Sequence, residues 1–203
     1  MKRTKFPLCD APVVICHGIT SCKENMAYLE DHLLERGFHT CALDFLPPDG
    51  ELTIMEYAEQ LDSFVQKEIP SGAPLHLCAH SMGGVIAAAW LQLLNGYKRT
   101  KSFVSISAPH HGTSLAVWGA LLLPAAYDMC PDSELTASLK ATRDRLKGIP
   151  LTTIRTETDD IILPPSSSKL EGAKNHVVSV DKHEELMRDK QVHNLIWKAL
   201  LHS

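Results

Sequence analysis

The chemistry of this chain is concentrated in the six residues Ala79-His80-Ser81-Met82-Gly83-Gly84. An apolar run, Leu75-His76-Leu77-Cys78, leads into them, and a helix-forming run, Val85-Ile86-Ala87-Ala88-Ala89-Trp90-Leu91, leads out. A strand, a sharp turn and a helix in that order hold a serine hydroxyl clear of the backbone, where it can attack an electrophilic carbon. Ala79 two residues before the serine and Gly83 two after it let the strand and helix backbones pass without a Cβ clash. A serine in a Ser-x-Gly sequence also serves as a turn or helix cap. Its partners therefore decide whether it reads as a nucleophile.

A serine hydroxyl is a poor nucleophile until a base takes its proton, and that base needs an orienting group. Behind a serine turn of this kind the acid and then the histidine follow in chain order, each in a loop after a strand. That order prunes the twenty-four acidic residues and eleven histidines of the chain. The run Leu151-Thr152-Thr153-Ile154-Arg155 is followed by Thr156-Glu157-Thr158-Asp159-Asp160-Ile161-Ile162-Leu163-Pro164. Asp160 is the expected acid, at the C-terminal end of a strand, where open α/β sheets carry functional groups. Asp159 is its immediate competitor. His183 is the expected base, two residues beyond Val177-Val178-Ser179-Val180-Asp181. His176 is its rival, at the start of that strand. In these roles His183 takes the Ser81 proton and returns it to the leaving group, while Asp160 fixes the tautomer and stabilises the charged ring.

Negative charge on the attacked carbonyl oxygen calls for two N–H donors. The first is the backbone N–H of Met82, after the nucleophile. The second comes from the loop after the first strand, Cys16-His17-Gly18-Ile19-Thr20, where Gly18 permits a turn that frees the Ile19 N–H.

These residues need a sheet to hold them. Six apolar runs recur, Pro12–Cys16, Thr40–Asp44, Leu75–Ala79, Ser102–Ser107, Pro150–Thr156 and Asn175–Val180. Continuous Val, Ile and Leu without polar alternation predicts strands buried on both faces. Between them, amphipathic spacing predicts helices over Glu24–Arg36, Thr53–Glu68, Ser133–Leu146 and Glu184–Leu201. The alternation of strand and helix predicts an α/β fold, an open parallel sheet covered on both sides. Ser114–Met129 is less regular: it reads either as a helix covering the sheet or as an apolar rim or small lid over the site.

Composition bounds the function further. The 203 residues fit one domain, residues 1–203, with no repeat or linker. The net charge of −4 leaves no basic footprint for nucleic acid. The basic start Met1–Lys5 has no apolar signal stretch behind it, and no apolar run reaches a membrane span. The six cysteines, 9, 16, 22, 41, 78 and 130, lack Cys-x-x-Cys spacing, so reduced thiols and a cytoplasmic location are expected.

In these motifs the chain resembles the compact bacterial α/β-hydrolase lipases and esterases whose serine motif begins with alanine. The matching residues are His17-Gly18-Ile19, Ala79-His80-Ser81-Met82-Gly83, Ala108-Pro109-His110-His111-Gly112-Thr113, Met129-Cys130-Pro131-Asp132-Ser133-Glu134-Leu135, Asp160-Ile161-Ile162-Leu163-Pro164 and His183. The resemblance runs from about Pro12 to Leu201, with the motifs in the right order. It implies a three-layer α/β-hydrolase fold of about six mostly parallel strands in the order 2-1-3-4-5-6. It implies Ser81, Asp160 and His183 as triad, Ile19 and Met82 as oxyanion donors, and an ester or lipid as substrate, with transient contact with a lipid surface. No metal or cofactor is expected: His110-His111 are adjacent, without a further ligand set, and no phosphate loop or dinucleotide fingerprint is present. His80 is expected to pack or hydrogen-bond away from the base. An acyltransferase or thioesterase using the same triad, or a catalytically silent binding protein, are the alternatives.

Overall fold

In the computed structural model, which describes residues 11–203, the six apolar runs form one parallel sheet. Met1–Lys5 and Cys9 lie outside the described residues. The strands are β1 (Val13–Cys16), β2 (Thr40–Leu43), β3 (Leu75–His80), β4 (Thr100–Ile106), β5 (Leu151–Thr156) and β6 (Lys174–Val178). Their spatial order is β2-β1-β3-β4-β5-β6, and every neighbouring pair is parallel. This is the α/β-hydrolase arrangement expected from the alternating pattern. β1, β3 and β5 are buried throughout, whereas the edge strands β2 and β6 are partly open to solvent.

Side chains on the two faces of the sheet belong to separate cores, as the two-residue period of a strand requires. On one face Val14, Cys16, Leu75, Leu77 and Ala79 pack with α2 (Ile54–Glu68) and α3 (Met82–Leu93). On the other, Val13, Ile15, Cys78, Val104 and Ile106 pack with α1 (Ala27–Leu34) and α7 (Lys190–Leu201). α3 is apolar almost all round because it lies between the sheet and α2; Trp90 on it donates its indole N–H to Asp62 Oδ1 of α2 at 2.8 Å. α2 begins with a complete capping box: the Thr53 side chain accepts from the Glu56 N–H, and Glu56 accepts from the Thr53 N–H.

Three of the expected helices are broken. Residues 24–36 divide into a 3-10 turn, Lys23–Met26, and α1. Residues 133–146 divide into α6 (Glu134–Ala141) and the 3-10 turn Arg143–Leu146. In the last stretch Asp189 stops the turn Glu184–Arg188 and caps α7, its side chain accepting from the Val192 N–H. Ser114–Met129 is not one covering helix. It holds two short ones, α4 (Ala116–Gly119) and α5 (Pro124–Asp128), separated by a turn with exposed Leu121 and Leu122.

Candidate active site

Ser81 stands between β3 and α3 with φ 54° and ψ −128°, a conformation a non-glycine residue adopts at a cost on the order of 1–3 kcal/mol. The turn is held by the Ser81 N–H donating to Ile106 O and the Gly84 N–H donating to Ser81 O, each 2.9 Å. The glycines after it are sterically required. A Cβ at Gly83 would stand 2.3 Å from His17 O, and one at Gly84 would stand 2.3 Å from the Ala108 Cβ. α3 therefore meets the end of β1 backbone to backbone and lies against the Ser105 and Ala108 side chains at the end of β4, which brings the loop after β1 against the serine. Gly18 completes the contact, since a Cβ there would lie 2.9 Å from Ser81 Cβ and 3.4 Å from its Oγ.

His17 locks that loop from inside. Its Nε2 accepts from the Phe45 N–H at 3.0 Å, so the ring proton is on Nδ1, which donates to Gly18 O at 2.7 Å. Burial holds its pKa below the usual histidine value, consistent with a neutral ring. Thr20, with φ 54°, donates its N–H to Pro48 O and turns the chain away from the site. Between them the Ile19 N–H donates to no acceptor among the described residues. Met82 opens α3, so its N–H has no intrahelical acceptor. Met82 directly follows Ser81 in the chain, and Ile19 follows the Gly18 that packs against it.

His183 and Ser81 are both buried, 4% and 6% exposed. The His183 Nδ1 faces both carboxylate oxygens of Asp159 at 3.1 Å each. A carboxylate there accepts the Nδ1 proton, which leaves the lone pair on Nε2; that atom is buried and takes no hydrogen-bond partner among the described residues. The expectation for Asp160 is corrected by this geometry. Asp160 Oδ1 accepts from the His183 backbone N–H at 3.0 Å, and Asp159 takes the ring. The reason is local. Asp159 Oδ1 also accepts from the Ile161 and Ile162 N–H groups, at 2.9 and 2.8 Å, which folds its side chain inward and turns Asp160 outward. Burial pushes the Asp159 carboxyl up, but the His183 hydrogen bond and charge, with the two N–H groups, outweigh it and hold the pKa below the usual range.

The acid loop is pinned at both ends. Thr113 Oγ1 donates to Ile161 O at 3.0 Å and accepts from the Leu163 N–H at 2.9 Å. Thr158 Oγ1 donates to Val180 O on the other side. Thr113 is held in turn by its N–H donating to Met129 O, and Gly112, with φ 80°, packs on Cys130 and Pro131. The segments around Gly112 and Pro131, both singled out in the sequence, thus brace one another.

His110 hydrogen-bonds Ser105 Oγ through Nε2 at 2.7 Å, and His111 reaches Lys169 O, so both serve loop packing. Among the described residues no three His, Cys, Asp or Glu side chains converge as a metal site. His176 lies within β6, paired with Ile154. His80 departs from expectation. Its ring lies against the His183 ring, centroids 4.6 Å apart and planes 36° apart. Adjacency in sequence to Ser81 was the one signal for it, because neither period nor motif tells which way a residue before a sharp turn will face.

The family model described as alpha/beta hydrolase fold matches residues 11–155. A phospholipase of Bacillus subtilis, YtpA, is 28% identical over 119 residues, 55% of this chain and 45% of that protein. The mouse lysosomal thioesterase PPT2 is 29% identical over 107 residues, 50% of this chain and 34% of that protein. The matches thus span less than half the length of either relative. Among solved structures, the mature Bacillus licheniformis lipase BlEst2 superposes with a TM-score of 0.73 at 16% identity, covering 98% of this chain and 96% of that one. Aspergillus fumigatus lipase B does so with a TM-score of 0.77 at 19% identity, covering 96% of this chain and 53% of that one. At such identities the likeness is one of fold. With more than half of its length matched by the family model, and with the sheet order above, the chain belongs to the α/β-hydrolase fold family.

Proposed function

We propose that this protein is a serine hydrolase of carboxylic esters, a lipase or esterase that works through an acyl-enzyme on Ser81. The observation that carries the reading is the His183–Asp159 pair, with its Nε2 lone pair unengaged, beside a strained serine between β3 and α3. Ser81 Oγ attacks the ester carbonyl as His183 Nε2 takes the hydroxyl proton. Asp159, accepting from Nδ1, stabilises the imidazolium. The Ile19 and Met82 N–H groups receive the oxyanion. The proton on Nε2 passes to the departing alkoxide, leaving the acyl group on Ser81. Water, deprotonated by His183, then attacks the acyl-enzyme, and collapse returns the proton to Ser81 and releases the acid. Beyond the ester and water, these steps call on no reactant outside the chain.

The substrate reaches this site past an apolar rim. Trp118, Leu121 and Leu122 are 86%, 95% and 84% exposed, and residues 112–127 contain no charged side chain. An exposed uncharged patch bearing a tryptophan suits the surface of a lipid aggregate. The rim adjoins the site, since the Ser114 N–H donates to Leu163 O of the acid loop and Gly50 contacts both Ile19 and Ala125. Lipid esters presented at a surface are the substrates we assign. The chain is proposed to act as a single domain, in the cytoplasm, a setting in keeping with free thiols at Cys16, Cys22, Cys41, Cys78 and Cys130.

Thioester hydrolysis is the second reading, supported by the stretch shared with a lysosomal thioesterase. A fluorophosphonate probe should label the wild type at Ser81 and leave Ser81→Ala unlabelled; an unlabelled wild type overturns the hydrolase reading. A series of p-nitrophenyl esters of rising acyl length, run beside acyl-thioesters and alcohol acceptors, then separates esterase from thioesterase and acyltransferase.

A further inference from the structure

Three groups bear on His183, and two of them leave one freedom unaccounted for. Asp159 accepts from Nδ1 with both oxygens equidistant, which fixes that corner of the ring but lets the Nε2 end swing about it. Asp160 holds the backbone N–H and leaves the ring free. The third is His80, whose ring covers one side of the His183 ring at a centroid distance of 4.6 Å.

His80 is well placed to limit the swing. It is the last residue of β3, buried, and bonded directly to Ser81. The strand that aims the nucleophile therefore also carries the surface on which the base rests. Its Nδ1 lies 3.4 Å from where a Cβ at Gly18 would stand, so the ring fills the space between the oxyanion loop and His183. We propose that His80 is a positioning residue, whose flat ring holds the His183 imidazole in line with Ser81 and shields it from water. The inference rests on the reading of Ser81 and His183 given above.

The charges around the pair fit a neutral His80. Burial, then the His183 charge, push its pKa down to about 3, with His17 acting the same way and the His183 backbone and Asp159 opposing. A neutral neighbour does not repel the imidazolium formed during the reaction. Among the described residues, Asp159, Asp160 and His80 are the ionisable groups with a hydrogen bond or ring contact to His183, and His17 acts electrostatically on His80.

The experiment compares the wild type with His80→Ala, His80→Leu and His80→Phe, each checked for a native melting transition. Leucine fills the volume without a flat face, and phenylalanine keeps the face without nitrogen. The expected result for the alanine and leucine variants is a kcat lower by about 10–100-fold with KM little changed, as a displaced catalytic group produces. The low-field proton resonance of the His183 Nδ1–H should broaden in the same two variants. His80→Phe should recover most of kcat and the sharp resonance. Wild-type kcat and resonance in both ringless variants overturn the proposal, as does a phenylalanine variant that behaves like alanine. If the wild type neither labels nor turns over ester, the reading of Ser81 fails instead. The resonance then still decides whether His80 holds the ring.

Discussion

Asp159 and Asp160, adjacent in sequence, grip the same histidine at different points: the first accepts from the His183 ring and the second from the His183 backbone N–H. Two consecutive carboxylates thus anchor the Nδ1 corner of the ring and the start of the turn that bears it.

That division of labour predicts unequal mutational effects. Asp159→Asn keeps an oxygen for the Ile161 and Ile162 N–H groups, so the loop should stay folded, but a neutral amide favours the wrong imidazole tautomer. A fall in kcat approaching 10⁴-fold is expected, as for other triads. Asp160→Asn retains an acceptor for the His183 N–H, and its loss should stay within about tenfold, the cost of one weakened hydrogen bond. Steady-state kinetics on one soluble ester would decide, and a larger loss in Asp160→Asn would reverse the assignment.

Gly18 and Gly83 tie the oxyanion loop to the serine through contact too close for any side chain. In Gly18→Ala the new methyl presses on Ser81 itself, and the loop must retreat from the site. Its kcat should fall by about 10²–10³-fold, the usual result of losing one oxyanion donor, while the thermal midpoint changes little. Gly83→Ala meets backbone oxygens of Cys16 and His17 instead, so it should lower both activity and midpoint. Equal midpoints for the two variants would contradict this account.

The sheet was legible because its strands are apolar runs between helices, and burial alone orders that pattern. The serine turn and His17-Gly18 were legible because close backbone approach demands small residues at fixed spacing. The choice between Asp159 and Asp160 was not, since both stand in one loop after β5 and the deciding bonds come from the N–H groups of Ile161 and Ile162. The break at Asp189 was hidden for a related reason. An aspartate reads equally well as an exposed helical residue or as a cap, and the Val192 N–H makes it the latter. His80 faces His183 through a tertiary contact that no local pattern encodes.

Buried histidines make stability depend on pH. His80 and His110 are pushed down to about 3, and His76 to about 4, chiefly by burial. An unfolded histidine titrates near 6.5, so between about pH 6.5 and 4 the unfolded chain binds protons that the native protein refuses. Stability from these groups is present above pH 6.5 and is lost progressively as pH falls through that window. Asp159, held below the usual carboxylate value, adds a loss at still lower pH as it protonates. Urea midpoints should therefore drop steadily from pH 7 to pH 4.5, and a flat profile would show that these rings do not remain neutral in the native state.

The rim formed by Trp118, Leu121 and Leu122 should matter for where substrate is met more than for bond breaking, because none of the three hydrogen-bonds Ser81, His183 or Asp159. Inserting them into a lipid surface would bury several apolar side chains, each worth about 1.5–3 kcal/mol when fully covered. Replacing all three by serine should weaken co-sedimentation with phosphatidylcholine vesicles by at least about tenfold. Turnover of an emulsified long-chain ester should fall disproportionately, compared with that of a dissolved short-chain ester. Uncharged vesicles are the appropriate probe, because residues 112–127 carry no basic side chain for an anionic headgroup and the chain has a net charge of −4. Unchanged co-sedimentation would assign the patch elsewhere. Loss of a concentration-dependent dimer in the triple variant would instead identify a second copy of the chain as its partner.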